Sequence, residues 1–305
     1  MSLSVKELLK IGEAQLNEFK VENAAYDGKM LYCHLMNITW AQLILEYQKT
    51  MPDSLCEEYF KLLDRRCGGE PLQYITGIQG FMGYDFTVNP NVLIPRPETE
   101  TLVEAATMII KDNKLQGEDF LSKAKKEYEV LDLCCGSGAI GLSTSAMCPT
   151  AKVTLSDVSE DALGVAKINA SKLGVSPKVK FESGNLLIPF KGRFRNRKFD
   201  MILSNPPYIR TSVIQTLQKE IREHEPMLAL DGGSDGLDFY RTIIKEAADC
   251  LKKDGVIMLE IGDDQKEDVM TIFAGIENYD DVRCLQDLAG RDRVVMARLA
   301  AKKKK

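Results

Sequence analysis

Glu129-Val130-Leu131-Asp132-Leu133-Cys134 runs without a break into Cys135-Gly136-Ser137-Gly138-Ala139-Ile140-Gly141. The first six residues are apolar enough for a strand buried on both faces, the kind found in parallel sheets. Glycines 136, 138 and 141 then allow a tight turn, close approach of the backbone to a ligand, and close packing of a helix on the sheet. That helix is predicted over 139–147, because Pro149 forbids its continuation. The next apolar run, Lys152-Val153-Thr154-Leu155-Ser156, ends in Asp157. It lies about 20 residues past the loop, where a carboxylate grips ribose hydroxyls. Strand, glycine loop, helix and acid-tipped strand together specify a nucleotide-binding α/β fold. By themselves they fit NAD, FAD or S-adenosylmethionine, and a mere glycine-rich turn is the plainer alternative.

A second stretch separates these possibilities. Phe199-Asp200-Met201-Ile202-Leu203 reads as a central strand, entered from a basic loop, Arg193 to Lys198, and left through Ser204-Asn205-Pro206-Pro207-Tyr208. Two successive prolines fix φ and remove two N–H donors, which makes a stiff loop with carbonyl oxygens left over for a ligand. Asn205 adds an amide oxygen at the carboxyl end of the strand, where open α/β sheets bind ligands. Tyr208 is expected to form an aromatic wall. Such a group suits a planar –NH2, with two oxygens accepting its hydrogens and a ring covering one face. The plainer reading is a turn-forming Asn ahead of proline.

Periodicity organises the rest. Residues 3–20, 22–36, 40–48 and 54–66 carry apolar side chains at helical spacing and predict a small bundle. Residues 79–94 alternate as in a β-hairpin linker, with its turn expected at Asn89-Pro90-Asn91. Pro97 suits the first turn of a helix reaching about residue 111, with Glu98 and Glu100 at its positive end. Strands are predicted at 129–134, 152–157, 178–182, 199–204, 256–261, 281–286 and 293–299. Intervening helices make the sheet parallel, and the short connection Asp287 to Asp292 makes the last strand antiparallel. The division expected is thus a helical domain over 1–78, the linker, an α/β domain over 95–300, and a disordered basic tail over 301–305.

The pair of motifs resembles the class I S-adenosylmethionine-dependent N-methyltransferases, and the wider pattern is similar to the release factor glutamine methyltransferases (PrmC or HemK). That resemblance rests also on Gly69-Glu70-Pro71-Leu72-Gln73-Tyr74-Ile75-Thr76-Gly77 and on Val92-Leu93-Ile94-Pro95-Arg96-Pro97-Glu98-Thr99-Glu100. Glu225-Pro226, Leu228-Ala229-Leu230, Asp231-Gly232-Gly233 and Asp235-Gly236-Leu237 extend it, and Asp287, Gly290 and Arg293 fit its end. It covers residues 60–299. It implies a Rossmann-like seven-stranded sheet with an antiparallel last strand, S-adenosylmethionine as cofactor, and methylation of the glutamine amide nitrogen in the Gly-Gly-Gln loop of class I peptide-chain release factors.

By the same resemblance Asn205, Pro206 and Tyr208 are the catalytic group, with Pro207 joining them at the substrate. Cofactor contacts are implied for Asp132, Cys134, Gly136, Ser137, Gly138, Asp157, Val158, Asn185, Leu186 and Asn205, and Arg96 and Glu98 are placed near the pocket. Three positions depart from the pattern. Asn185 stands where relatives often carry an acid against the adenine amino group, Leu186 where an aromatic is common, and Cys134-Cys135 where Gly-Thr is common. A working but weaker adenine site is expected, and the cysteines are expected to pack rather than react. No strong general base is visible in the motif.

Composition bounds the alternatives. The 305 residues carry a net charge of −5, which argues against a strong sequence-independent grip on nucleic acid. Eight cysteines include no Cys-x-x-Cys pair, and two histidines leave zinc or histidine chemistry little to work with. No apolar run of about 18 residues and no signal peptide is seen, so a soluble, cytoplasmic, monomeric protein with no metal is expected. Adenine methylation in DNA or RNA shares Asn-Pro-Pro-Tyr and is the competing enzymatic reading. A non-catalytic cofactor-binding partner protein is the third, and the intact Asn205 and glycine loop speak against it.

Overall fold

The computed structural model describes residues 3–115, 118–119, 126–191 and 198–300. Arg193, Arg195 and Arg197 of the basic loop and the 301–305 tail lie outside the described residues. In chain order the helices are α1 (Val5–Glu18), α2 (Ala24–Met36), α3 (Trp40–Glu46), α4 (Asp53–Cys67) and α5 (Leu72–Thr76). Strands β1 (Ile78–Phe81) and β2 (Tyr84–Thr87) lead to α6 (Glu100–Asp112), followed by the two-residue strands β3 (Lys114–Leu115) and β4 (Glu118–Asp119). Next come β5 (Tyr128–Leu133), α7 (Ala139–Met147), β6 (Ala151–Asp157), α8 (Glu160–Lys172), β7 (Val179–Ser183) and β8 (Phe199–Ser204). Helices α9 (Thr211–Ile214), α10 (Lys219–His224) and α11 (Asp238–Ala247) precede β9 (Leu251–Glu260), α12 (Lys266–Ala274), β10 (Tyr279–Gln286) and β11 (Asp292–Leu299). The chain forms two compact units, Met1–Ile78 with Leu217–His224, and Gln79–Thr216 with Glu225–Lys305.

The first unit is helical because its apolar residues recur at three and four. Val5, Leu8, Leu9 and Leu16 are the buried stripe of α1, and Ser4 caps that helix in a reciprocal box with Glu7. Thr39 and Gln42 do the same for α3. Tyr59 of α4 is fully buried and donates its hydroxyl to the Gly28 carbonyl at 3.0 Å. Arg66, almost wholly buried, bonds Asp27 at 2.7 Å, the Glu70 carbonyl at 3.1 Å and the carboxylate of Glu220 in α10 at 3.0 Å. A buried guanidinium is tolerated only with such saturation. Within the Gly69 to Gly77 signature the chain forms α5, closed by Gly77.

The second unit is a three-layer α/β/α structure around a seven-stranded sheet of order β10-β11-β9-β8-β5-β6-β7. All neighbours are parallel except β11, which runs antiparallel to both β9 and β10. Successive strand residues point to opposite faces. Val130, Met201, Leu203, Met258 and Met296 therefore pack on one side with residues of α6, α7 and α8. Leu131, Leu133, Ile202, Ile257 and Leu259 pack on the other with residues of α11 and α12. Asp287 ties the turn before β11 by accepting the N–H groups of Ala289 (2.9 Å) and Arg291 (3.0 Å). From β11 the Arg293 side chain donates to the Ile261 carbonyl at 3.0 Å. The end pattern thus builds the antiparallel return.

Two expectations shift. The β1–β2 hairpin turns at Met82-Gly83, both at positive φ (52° and 77°), the geometry that matches strand twist in a two-residue loop. Asn89-Pro90-Asn91 makes a separate turn beyond it, with Asn89 Oδ1 accepting the Asn91 N–H at 3.0 Å. Strand β9 begins at Leu251 rather than 256, because an irregularity between Phe199 and Met201 lets five extra residues join its lower end.

Candidate active site

Along the sheet, the chain moves from β5 outward to β6 and β7, then crosses back to β8 on the other side of β5. The carboxyl ends of β5, β6 and β8 therefore flank a crevice at the point where strand order reverses, where open α/β sheets bind ligands. A cavity of about 230 Å³ opens there.

Its floor is the glycine loop. Cys134 turns the chain at φ 59° and Gly138 at φ 80°, the latter serving as the residue before α7. Asp157, at the end of β6, accepts the Gly136 N–H through Oδ2 and the Ser159 N–H through Oδ1, each at 2.9 Å. These bonds fix the carboxylate at the rim, and each oxygen retains a further lone pair for a hydroxyl. Burial raises its pKa, with the backbone N–H groups of Ser159, Gly136 and Val158 opposing. Asp132 is fully buried beneath the loop and accepts the Gly141 N–H at 2.8 Å. Burial pushes its pKa up to about 8, with Gly141 opposing and Asp157 adding to the rise. Burial likewise raises the thiols of Cys134 and Cys135 well above their ordinary value, which suits packed residues and not nucleophiles.

The opposite wall comes from β8. Ser204 Oγ donates to the Leu133 carbonyl at 2.6 Å, locking the two strand ends together. Asn205 then turns toward the cavity, its Nδ2 donating to Thr99 Oγ1 at 3.4 Å. The loop leaving it is gripped by the third signature. The Ile209 N–H donates to the Leu230 carbonyl and the Gly232 N–H to the Ile209 carbonyl, at 3.0 and 2.8 Å. A Cβ on Gly232 would fall 2.6 Å from Tyr208 Cα, so only glycine lets the chains approach this closely. Gln265 holds the Tyr208 carbonyl at 3.1 Å. Arg96 pairs with the buried carboxylate of Glu225, which also accepts the Ile94 N–H at 3.4 Å. The second and third signatures thereby meet at the cavity.

Of the residues singled out in the sequence, Cys134, Gly136, Ser137, Asp157, Val158, Asn185, Leu186, Asn205 and Pro207 line the cavity, as does Arg96. Asp132 and Gly138 lie behind the loop and shape it. Pro206 is buried, and Glu98 is absent from the lining. Tyr208, expected as a wall, is absent from the lining and packs against the apolar cluster that includes the lining residues Leu186 and Phe239. Three contributors escaped the sequence reading. Thr99 and Phe239 line the cavity. Fully buried Asn169 ties the glycine loop to the hairpin, donating to the Ser137 carbonyl at 2.9 Å and the Thr87 carbonyl at 3.0 Å. Thr99 lies within the Val92 to Glu100 signature without having been singled out there, whereas Phe239 and Asn169 belong to no motif and act through tertiary contacts.

Residues 7–77 match the family model of the PrmC N-terminal domain, and residues 117–234 that of the methyltransferase small domain. The release factor glutamine methyltransferase of Clostridium acetobutylicum is 37% identical over 295 residues, covering 97% of this chain and 98% of that protein. The chain belongs to the release factor glutamine methyltransferase family. Its counterpart in Moorella thermoacetica is 38% identical over 289 residues, covering 94% of this chain and 96% of the relative. A solved structure, the protein-(glutamine-N5) methyltransferase (release factor-specific) of Alicyclobacillus acidocaldarius, is 27% identical with a TM-score of 0.40, covering 71% of this chain and 100% of that one. This methyltransferase has, among the described residues, no helix long and apolar enough to cross a membrane. No cluster of three or more His, Cys, Asp or Glu placed to hold a metal ion occurs among them either.

Proposed function

We propose that this methyltransferase transfers a methyl group from S-adenosylmethionine to the side-chain amide nitrogen of the glutamine in the Gly-Gly-Gln loop of class I peptide-chain release factors. One observation carries the reading: Asn205, its NH2 committed to Thr99, shares a single cavity with Asp157 and the glycine loop. The residues present fit the cofactor. Asp157 has lone pairs for ribose hydroxyls, Gly136 has open space around its α-carbon, and Val158, Leu186, Ile140 and Ala162 give the cavity an apolar lining suited to an adenine ring. Asn185 can accept from the adenine amino group through its amide oxygen.

Bound S-adenosylmethionine supplies an electrophilic sulfonium methyl. The difficulty lies with the acceptor, since an amide nitrogen's lone pair is delocalised into its carbonyl. Asn205 Oδ1 and the Pro206 carbonyl accept the two N–H bonds of that nitrogen and aim its remaining density at the methyl group. Such positioning can lower a barrier by about 7–11 kcal/mol. As the nitrogen turns positive the same two oxygens stabilise it more than in the ground state; one N–H proton is released after transfer to restore a neutral amide, and S-adenosylhomocysteine is the co-product. The paired prolines keep both acceptors rigid and add no competing donor.

The helical unit is assigned to docking the rest of the release factor. Tyr26 and Trp40, half exposed with ring centroids 5.5 Å apart, support this together with exposed Ile44 and Leu45, a grouping typical of interfaces. A monomer acting in the cytoplasm, with no nucleic-acid partner, completes the reading. The test is calorimetric: S-adenosylmethionine should bind the isolated protein, and a purified class I release factor should bind the complex. A release factor lacking the loop glutamine side chain should bind and yet accept no methyl. Binding of adenine-containing oligonucleotides in place of the release factor would reverse the choice of acceptor.

A further inference from the structure

Asn169 lies on α8, outside every motif, and its side chain is fully buried. Oδ1 accepts the Thr87 N–H at 2.7 Å, while Nδ2 donates to the Thr87 carbonyl at 3.0 Å and to the Ser137 carbonyl at 2.9 Å. A backbone N–H only donates and a carbonyl only accepts, so the amide has one orientation, with both of its hydrogens used. Three residues on, along the same face of α8, Lys172 Nζ donates to the Thr87 hydroxyl. Helix α8 therefore grips Thr87 by backbone and side chain, and reaches the glycine loop with the same amide.

The two segments it joins are separate stretches of the cavity wall. Ser137 belongs to the floor. The first bond of the α7 ladder runs from the Leu142 N–H to the Gly138 carbonyl at 2.9 Å. The Ser137 carbonyl stands ahead of that ladder and takes its partner from Asn169. Thr87 ends β2 and does not line the cavity, but the strap Pro90-Asn91-Val92-Leu93, which starts three residues later, does. The N-terminal end of α8 is at the site as well: Ser159, its cap, donates its N–H to Asp157, and Ala162 lines the cavity. We propose that Asn169 is a positioning residue for the cofactor: it fixes the glycine loop relative to the root of the strap, and that spacing sets the affinity for S-adenosylmethionine and for its demethylated product alike. The inference rests on the cofactor assignment in the methyl-transfer reading above.

Without the Asn169 amide, the buried Ser137 carbonyl has lost its partner, and the loop relaxes to find another. Binding must then pull the loop back, which lowers affinity. Asn169 is absent from the lining, and the acceptor is held by Asn205 and Pro206 after β8, so the chemical step is spared. The coupling is reciprocal. A bound cofactor that holds the loop also holds Asn169, and through it Thr87, a residue it does not touch.

The experiment is titration calorimetry of the full chain with S-adenosylmethionine and with S-adenosylhomocysteine. It compares the wild type with Asn169→Ala, Asn169→Asp and Val295→Ala. Alanine is the better helix former, which offsets part of the lost bonding in Asn169→Ala. Val295→Ala truncates a fully buried side chain of β11, a strand with no residue in the lining, and serves as the destabilised control. Both Asn169 variants should bind both ligands about tenfold or more weakly. Asn169→Asp should be at least as weak as Asn169→Ala, because its second oxygen faces two carbonyls. Val295→Ala should stay within about threefold of the wild type in affinity, whatever its fall in melting temperature. In methylation of a purified release factor, Asn169→Ala should raise KM for the cofactor and keep the rate at saturation within about threefold. A further readout needs no variant and no acceptor. In hydrogen exchange followed by NMR, saturating S-adenosylhomocysteine should slow the Thr87 amide of the wild type at least about tenfold. Unchanged affinity in Asn169→Ala, an equal loss in Val295→Ala, or a Thr87 amide indifferent to the ligand would each overturn the proposal. A wild type that binds neither ligand would instead overturn the cofactor assignment beneath it.

Discussion

The Gly141 N–H is held by Asp132 Oδ2 at 2.8 Å, and the two residues are packed so closely that a Cβ at 141 would lie 2.8 Å from both Cβ and Oδ2 of Asp132. This contact joins the buried end of β5 to the first turn of α7, with the glycine loop strung between them. Gly141→Ala must push α7 off the sheet or swing Asp132 away. Overpacking of this kind costs about 1–3 kcal/mol, and the displaced loop should weaken S-adenosylmethionine binding at least about tenfold. Thermal melting and titration calorimetry would check both effects. Unchanged affinity would mean that the helix, not the loop, absorbs the strain.

The same aspartate makes stability depend on pH. Its folded pKa, up to about 8, lies above the ordinary carboxylate value. Through the interval between the two, the native protein keeps a proton that the unfolded chain has released. That contribution is fully present below the ordinary value and is lost as pH rises through about 8. Glu260, raised to about 7, acts in the same sense. Asp132→Asn should therefore gain on the wild type between about pH 6 and 8, by about 2–4 °C in melting temperature for each ~1 kcal/mol removed. Parallel melting curves across this range would refute the assignment.

Asn205→Ala should lower the single-turnover rate by about 10²–10³, the usual consequence of losing one acceptor or donor aimed at developing charge. Affinity for the cofactor should stay within a few-fold, and the melting temperature should barely move, since the side chain reaches Thr99 only at 3.4 Å. A large fall in melting temperature with little change in rate would make Asn205 a turn former and no more.

Asn185 lines the cavity with a neutral amide, and in the proposed reading it accepts from the adenine amino group. A carboxylate hydrogen bond to an amino group is about twice as strong as a neutral one. Asn185→Asp should thus tighten S-adenosylmethionine binding several-fold with little change in the rate at saturation. Calorimetry decides, and weaker binding would place Asn185 away from the adenine.

Legibility in the sequence followed the range of the forces involved. Strands β5, β6 and β8 were readable because each is buried on both faces and ends in residues with restricted backbones: Gly136, Gly138 and the prolines at 206 and 207. The antiparallel return of β11 followed from a connection too short for a crossover. Asn89-Pro90-Asn91 drew the hairpin turn to the wrong place because its local signal is stronger than that of Met82-Gly83, where a methionine adopts a left-handed φ that its side chain does not advertise. Phe239 and Asn169 gave no local signal, and Thr99 stood unremarked inside the Val92 to Glu100 signature. Their roles depend on the approach of α6, α8 and α11 to the loops, which a single sequence does not display. Tyr208 is read from the sequence as an aromatic wall, and in the fold its ring packs with the apolar cluster that also holds Leu186 and Phe239 of the cavity lining.

The central claim is the acceptor. Labelled methyl transfer from S-adenosylmethionine to a purified class I release factor should be measured beside the same factor with its loop glutamine changed to alanine, with tandem mass spectrometry locating the product. The account predicts one methyl group, on the amide nitrogen of that glutamine, in the native factor alone. Label on both factors, or on an adenine-containing oligonucleotide and neither factor, would contradict it.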